Sequence, residues 1–184
     1  MPFDDLRRQQ FRRYFQPSRI VIAVVPCERW PSKVNLVTLC FLMHCSYKPP
    51  MMAFAVHNIN YSYTLFRDAS EFVLAVPGEA LAEQVIVCGT RSGAEVDKVA
   101  ACDLRLTDSQ RIGVPGLADC ISNIELRARA WIPSGDHAVV FAEAVRYAVD
   151  REVTQRPLLS VGPDDSGYRV LARKGIHRIA VVAT

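Results

Sequence analysis

The residues best suited to chemistry lie in one glycine-containing stretch, from Cys88 to Lys98. It contains two glycines, two hydroxyls and two cations: Gly89, Gly93, Thr90, Ser92, Arg91 and Lys98. Because glycine tolerates positive φ, successive backbone N–H groups can turn toward one point and form an anion-binding concavity. The hydroxyls, with Lys98 as a point charge and Arg91 as a second cation, could complete a phosphate clamp.

The same stretch has a plainer interpretation as the end of a helix. Gly89 and Gly93 would then act as caps, and Lys98 would lie in solvent. The stretch lacks the Gly-Lys-Ser/Thr of a Walker A loop and the G-x-G-x-x-G of a Rossmann fold. From these residues alone, both the phosphate clamp and the helix end remain open.

Asn35 and Thr38 are polar residues inside an apolar run. They lie three apart, so a strand would send them to opposite faces, although a ligand at the rim of a barrel could still meet both. Alternatively, Asn35 satisfies a turn and Thr38 is simply a good strand former. The following segment, Ser46-Tyr47-Lys48-Pro49-Pro50, is a stiff loop that could hold a flat ligand face or serve as an ordinary turn.

Among the histidines, only His137 has a suggestive context. It follows Gly135-Asp136, which is typical of a capped turn but would also suit a proton donor that titrates near neutral pH. The other histidines, His44, His57 and His177, have no partner at metal-ligand spacing. We therefore expect no metal site, and the absence of a Gly-x-Ser-x-Gly elbow makes a hydrolase a poor candidate.

The composition is that of an ordinary globular protein. The chain has 184 residues, of which 50% are hydrophobic and 22% charged, with a net charge of +3. This charge is too small to indicate nucleic-acid binding, and no apolar run reaches the roughly 18 residues of a membrane helix. The six cysteines form no C-x-x-C pair, and the start of the chain is charged rather than apolar. We expect a cytoplasmic protein with mostly buried, reduced thiols.

Hydrophobic patterning divides the chain into a helical leader, residues 1–16, and one domain, residues 17–184. Strands are predicted at 18–26, 34–43, 51–56, 71–76, 122–132, 138–149 and 158–161, with a last strand or tail at 176–182. Short helices are predicted at 58–67, 79–88 and 96–101, a loop at 44–50 and an irregular connection at 103–119. The first strands are joined too closely for crossover helices. The pattern favours a mainly β fold, a β-barrel with short helices, over an α+β sandwich.

Several of these motifs occur together in a recognisable order. They are Asn35-x-x-Thr38, Ser46-x-x-Pro49-Pro50, Tyr61-Ser-Tyr-Thr64, Glu71 to Pro77, Cys88-Gly to Asp97-Lys98, and Gly135-Asp-His137. In this order they resemble the flavin reductase-like family of FMN-binding split barrels, over roughly residues 17 to 162. That family includes flavoredoxins and the reductase components of two-component monooxygenases. The resemblance implies a Greek-key split β-barrel, a homodimer and one FMN per subunit.

The resemblance also implies a set of cofactor-binding residues. Asn35 and Thr38 would contact the flavin and its ribityl chain. Ser46 and Tyr47 would line the isoalloxazine, with His137 nearby and Tyr168 as a cover. Cys40 is a further expected cofactor-binding residue, although many members of the family have Ser-Trp where this chain has Cys40-Phe41. The phosphate would be bound by Ser62, Ser92 and Lys98.

The expected activity is that of an oxidoreductase, an NAD(P)H-dependent flavin reductase using NADH or NADPH as electron donor. The electron acceptor would be free flavin, a monooxygenase or another partner, with no role for nucleic acid or a membrane. Two alternatives stay open: a non-catalytic FMN electron carrier, and a structural barrel without flavin.

Overall fold

Strands dominate the part of the chain that the structure, a computed structural model, describes: residues 17–150, 152, 154–160, 171–173 and 179–182. The strands are β1 (Ser18–Arg19), β2 (Val21–Pro26), β3 (Val34–Leu39), β4 (Leu42–Tyr47), β5 (Pro50–His57), β6 (Glu71–Val76), β7 (Leu106–Thr107), β8 (Gly116–Leu117), β9 (Ser122–Ser134), β10 (His137–Val149), β11 (Leu158–Ser160), β12 (Leu171–Arg173) and β13 (Ile179–Val182). The helices are α1 (Ser62–Asp68), α2 (Ala82–Thr90) and α3 (Lys98–Ala101), with a 3-10 helix at Glu79–Leu81.

One seven-stranded antiparallel sheet, in the order β3-β2-β6-β9-β10-β5-β4, forms the body of the fold. A four-stranded sheet, β1-β11-β13-β12, and a two-stranded sheet, β7-β8, accompany it. This architecture is a split β-barrel, which confirms the predicted fold class.

The large sheet is buried on both faces near its middle, as β2 shows. Val21, Ala23 and Val25 face one core, whereas Ile22 and Val24 face the other. Since side chains alternate along a strand, burial of both faces requires a continuous apolar run rather than an alternating one. The first core contains three mutually edge-on rings, those of Phe54, Phe66 and Phe72, with centroids 5.3 to 5.4 Å apart. The second core packs the sheet against α2 and the segment that follows it.

The predicted loop at 44–50 is wrong, and so is the single strand at 34–43. The chain leaves β3 at Leu39 and starts a new strand at Leu42, which pairs with β5 through the turn at Lys48–Pro49. The two prolines sit in the turn and at the first position of β5, where a missing N–H costs little. β4 was not predicted as a separate strand because its sequence has no alternating apolar pattern. The pattern is missing because β4 is an edge strand whose side chains are mostly exposed.

Smaller differences concern the ends of elements. The helix predicted at 58–67 begins only at Ser62, with Tyr61 as N-cap and no side-chain cap from Asn60 or Ser62. The region 103–119 is not wholly irregular, since it contains β7 and β8. The predicted last strand at 176–182 corresponds to β13, which pairs with β11 and β12. The predicted leader, residues 1–16, lies outside the described residues.

The cysteines follow the expectation of burial. All six are free thiols: Cys27, Cys88, Cys102 and Cys120 are buried, Cys40 is partly buried and Cys45 is exposed. Burial raises the pKa of the Cys88 and Cys120 thiols to about 12, so both are protonated at neutral pH. Within the described residues, no helix has the length and apolar character needed to span a bilayer.

Candidate functional site

A polar cavity of about 190 Å³ opens between β3, the start of α1 and the segment that follows α2. It is lined by Asn35, Val37, Ile59, Asn60, Tyr61, Ser62, Cys88, Gly89, Thr90, Arg91, Ser92, Gly93 and Lys98. Two of these residues are cations and none is an acid. The cavity is therefore suited to a negatively charged group.

Lys98 is the most unusual residue of this polar cavity. Its side chain is only 4% exposed, and Nζ donates to the carbonyl oxygens of Leu36 at 2.6 Å and Cys88 at 2.9 Å. No carboxylate among the described residues forms an ion pair with it. Burial lowers the pKa of Lys98, because the charged form loses hydration without gaining a counter-ion. The alternative that placed Lys98 in solvent is wrong.

Local structure explains why Lys98 points inward. Asp97 caps α3 through its side chain, which accepts from the amides of Val99 and Ala100. This fixes Lys98 as the first residue of α3, directly beside the C-terminal turn of α2. The Cys88 carbonyl belongs to that last turn, where carbonyls lack partners within the helix. One of the three ammonium donors of Lys98 remains for a ligand.

Asn35 of β3 and Gly93 of the loop after α2 also line the polar cavity, and they pack closely against each other. Asn35 is 3% exposed, and its Oδ1 has no hydrogen-bond partner in the part of the chain that the structure describes. A Cβ at position 93 would lie 1.9 Å from that oxygen, so only glycine allows this approach. The Gly93 carbonyl in turn accepts from Trp30 Nε1 at 2.7 Å, which anchors the loop. A buried acceptor without a donor normally costs about 1–3 kcal/mol, so the loop keeps its close approach to Asn35 at the expense of an unsatisfied carbonyl oxygen.

A second cavity, the aromatic cavity, adjoins the polar cavity. Its volume is about 230 Å³, and Asn60 lines both. Its other lining residues are Thr38, Leu39, Cys40, Phe41, Ala55, His57 and His137. The Phe41 and His137 rings are stacked, with centroids 5.6 Å apart and planes 30° apart. The polar and aromatic cavities together offer an anion-binding end and a flatter, partly apolar end.

The structure brings seven of the ten sequence-predicted site residues to these cavities. Asn35, Ser62, Ser92 and Lys98 line the polar cavity, whereas Thr38, Cys40 and His137 line the aromatic cavity. The Thr38 hydroxyl, however, donates to the Val85 carbonyl at 2.6 Å, so it holds α2 against β3.

The other three predicted residues are not at the cavities. Ser46 and Tyr47 line neither one. They belong to edge strand β4, where Tyr47 is 88% exposed. Tyr168 lies outside the described residues.

Sequence reasoning missed Asn60 and His57 as cavity residues. Asn60 lies just before α1 and carries no motif that indicates a site. His57 is the cross-strand partner of His137 in β5 and β10, and this pairing joins residues eighty positions apart. Only knowledge of the strand register could have revealed it.

Comparison with known proteins agrees with this fold. The chain is 29% identical over 156 residues to an uncharacterised protein of Archaeoglobus fulgidus, covering 85% of this chain and 82% of that one. The FMN-binding protein of Thermus thermophilus superimposes with a TM-score of 0.79 at 19% identity, covering 100% of this chain and 96% of that one. An NADH:FAD oxidoreductase of Streptomyces globisporus superimposes with a TM-score of 0.72 at 15% identity, covering 86% and 93%.

The structural matches establish the fold, and the family follows from sequence. The model of the flavin reductase like domain matches residues 12–168, which include every strand from β1 to β11 and both cavities. The chain belongs to the flavin reductase like domain family.

Proposed function

We propose that this protein binds FMN across the polar and aromatic cavities and acts as an NAD(P)H-dependent flavin oxidoreductase. The observation that carries the proposal is the buried Lys98 ammonium, which faces a cavity without acids and has no carboxylate partner among the described residues. A phosphate is the anion that this family's cofactor supplies. Membership of the family and the shared fold of the FMN-binding protein of Thermus thermophilus support the choice.

The residues of the polar cavity fit the charged end of FMN. Lys98 would neutralise the phosphate, and Arg91 would add a second, exposed cation. The hydroxyls of Ser62 and Ser92 would donate to phosphate oxygens. Ser92 Oγ already accepts from the Ala94 amide at 3.2 Å, which leaves its own hydrogen free to donate.

The aromatic cavity would hold the ring system. Its walls combine an aromatic face, Phe41, with the backbone and side chains of Thr38 and Cys40. Bound flavin supplies hydride and electron transfer, chemistry that no side chain provides. The task of the chain is then to fix the ring, exclude water from one face and leave the other open to the nicotinamide. His137 lies where its ring could donate a proton or a hydrogen bond.

Two assays test this function. Absorbance and fluorescence titration with FMN should show one bound flavin per chain, and consumption of NADH or NADPH should accelerate when protein is added to free FMN. Flavin binding without acceleration by either nicotinamide would instead identify an electron carrier. Failure to bind FMN would leave a flavin-free barrel and contradict the proposal.

We also propose that the protein is a homodimer that passes its electrons to free flavin or to a partner monooxygenase. The support is a group of exposed apolar side chains on β4, an edge strand of the large sheet, and just before it. Phe41 is 45% exposed, Met43 61% and Tyr47 88%. An exposed apolar edge strand invites pairing with another chain, and a second copy would cover it beside the aromatic cavity, which Phe41 also lines.

A further inference from the structure

Three metal-ligand side chains converge at the tip of the β9–β10 hairpin. His57 and His137 are directly paired residues of β5 and β10, and Asp136 lies in the turn between β9 and β10. Asp136 Oδ1 is 2.6 Å from His137 Nδ1, and Asp136 Oδ2 is 3.8 Å from His57 Nε2. One donor atom from each of the three lies within 4.8 Å of the others.

The backbone holds these side chains in place. The Asn58 amide donates to the Asp136 carbonyl at 2.9 Å, so the turn is tied to the end of β5. Gly135 has φ of +61°, which lets the hairpin reverse direction just before Asp136. The two imidazole rings lie 4.6 Å apart, and the side chains of His57 and His137 are 31% and 18% exposed. An ion can therefore reach the three side chains from solvent, and the backbone contacts partly preorganise them for binding.

We propose that His57, Asp136 and His137 bind one divalent transition-metal ion, with Zn²⁺ as the best match. Two imidazole nitrogens and a carboxylate oxygen form a donor set that zinc and its neighbours in the first transition row prefer. With metal–ligand bonds of about 2.0–2.2 Å, the observed separations need only small side-chain rotations. The ion would replace the proton that now joins His137 to Asp136.

One local contact must change when the ion binds. The Ile59 amide donates to His57 Nδ1 at 3.3 Å, so neutral His57 carries its proton on Nε2. Coordination through Nε2 moves that proton to Nδ1. Ile59 is 82% exposed in a turn, so its amide can donate to water instead.

Three protein ligands leave the fourth position of a tetrahedral ion open. Water or a ligand oxygen would occupy it, next to the aromatic cavity that both histidines line. This inference does not rest on flavin binding. The metal site and the flavin site can fail or hold independently, because the first is tested by ion binding and the second by flavin binding.

Isothermal titration calorimetry of the full chain with Zn²⁺, under reducing conditions that keep the thiols free, tests the proposal. We expect one ion per chain, and at least about tenfold weaker binding in His57→Gln, Asp136→Asn and His137→Gln. His44→Gln is the matched control, because His44 is an exposed histidine of β4 outside the cluster. Circular dichroism of each variant verifies that it is folded.

A second readout uses Co²⁺, whose paramagnetism broadens NMR signals of nearby nuclei. The ring protons of His57 and His137 should broaden at one equivalent, while those of His44 stay sharp. Absence of zinc binding would overturn the proposal. So would binding that is unchanged in both cluster histidine variants, which would place the ion outside the cluster.

Discussion

At the scale of single residues, the Lys98 ammonium makes two structural hydrogen bonds and keeps one donor for a ligand. It caps the last turn of α2 through the Cys88 carbonyl and bonds the Leu36 carbonyl of β3. These two acceptors hold the charge in a buried position without neutralising it. A phosphate in the polar cavity would supply the missing negative charge. Anion binding should therefore raise the pKa of Lys98 toward its ordinary value.

Gly93→Ala tests the close approach of the loop to Asn35. The new methyl group would lie 1.9 Å from Asn35 Oδ1, and Asn35 is buried with little room to rotate. We expect a loss of about 1–3 kcal/mol in the free energy of unfolding, typical of overpacking, together with weaker FMN binding. Urea unfolding and flavin titration measure the two effects.

The control for this substitution is Gly113→Ala. Among the described residues, a Cβ at Gly113 would meet Glu71 Oε2 alone, at 3.8 Å, so stability and flavin affinity should both stay near those of the wild type. Equal effects of the two substitutions would show that the Gly93 contact has no special role.

At the scale of elements, a buried carboxylate holds the connection between β7 and β8. Glu125 of β9 is 1% exposed and accepts from the amides of Gln110 and Arg111, at 3.1 and 2.7 Å. Arg146 of β10 donates to it at 2.9 Å. Burial alone raises the pKa of the Glu125 carboxyl, but the Gln110 amide, the Arg146 guanidinium and the Arg111 amide together lower it below its usual value. The connection is thus anchored by charge-assisted hydrogen bonds.

Glu125→Gln should lower the free energy of unfolding by about 1–3 kcal/mol at neutral pH, because hydrogen bonds to a charged group are lost. Since the folded-state pKa of Glu125 is depressed, its stabilising contribution is present above the unfolded-state pKa and is lost as pH falls through the folded-state pKa. The difference between wild type and variant should therefore shrink in acid. Denaturant unfolding at several pH values measures it.

Glu143→Gln is the matched control. Glu143 also bonds an arginine, Arg129, but on a more exposed part of the β9–β10 hairpin. Exposed ion pairs contribute about 0–1 kcal/mol, so this variant should remain close to the wild type. A larger loss in Glu143→Gln than in Glu125→Gln would contradict the assigned role of burial.

The same elements show what the sequence could and could not predict. β2 and β6 were predictable because burial on both faces leaves a continuous apolar run. β4 was not, since its exposed side chains carry no pattern. At the site, Lys98, Ser92 and Asn35 could be found from their motifs. The pairing of His57 with His137 could not, because it depends on the register of β5 and β10.

At the scale of the whole molecule, the exposed apolar surface of β4 gives the proposed dimer its basis. An apolar groove lined by Phe41, Leu42, Met43, Ala53, Phe54, Ala55 and Val139 runs along this edge. Its position beside the aromatic cavity means that a second chain would also limit solvent access to the flavin ring.

Met43→Glu should weaken the dimer, because it places a charge in the proposed interface, whereas folding should be unaffected at a side chain that is 61% exposed. Light scattering at micromolar concentration should give a dimer mass for the wild type and a monomer mass for the variant. Val149→Glu is the control, at an equally exposed apolar residue near the far end of β10. A monomeric wild type would contradict the proposed dimer.

The phosphate role of Lys98 is tested most directly by comparing the affinities of FMN and riboflavin, which differ only in the phosphate. The wild type should bind FMN more tightly than riboflavin, and Lys98→Met should reduce that preference by about 1–3 kcal/mol, as for loss of a charged hydrogen bond, because Arg91, Ser62 and Ser92 remain in the polar cavity. If the wild type binds both flavins equally, or if Lys98→Met keeps the full preference of the wild type for FMN, Lys98 does not bind the phosphate and the proposed FMN site is wrong.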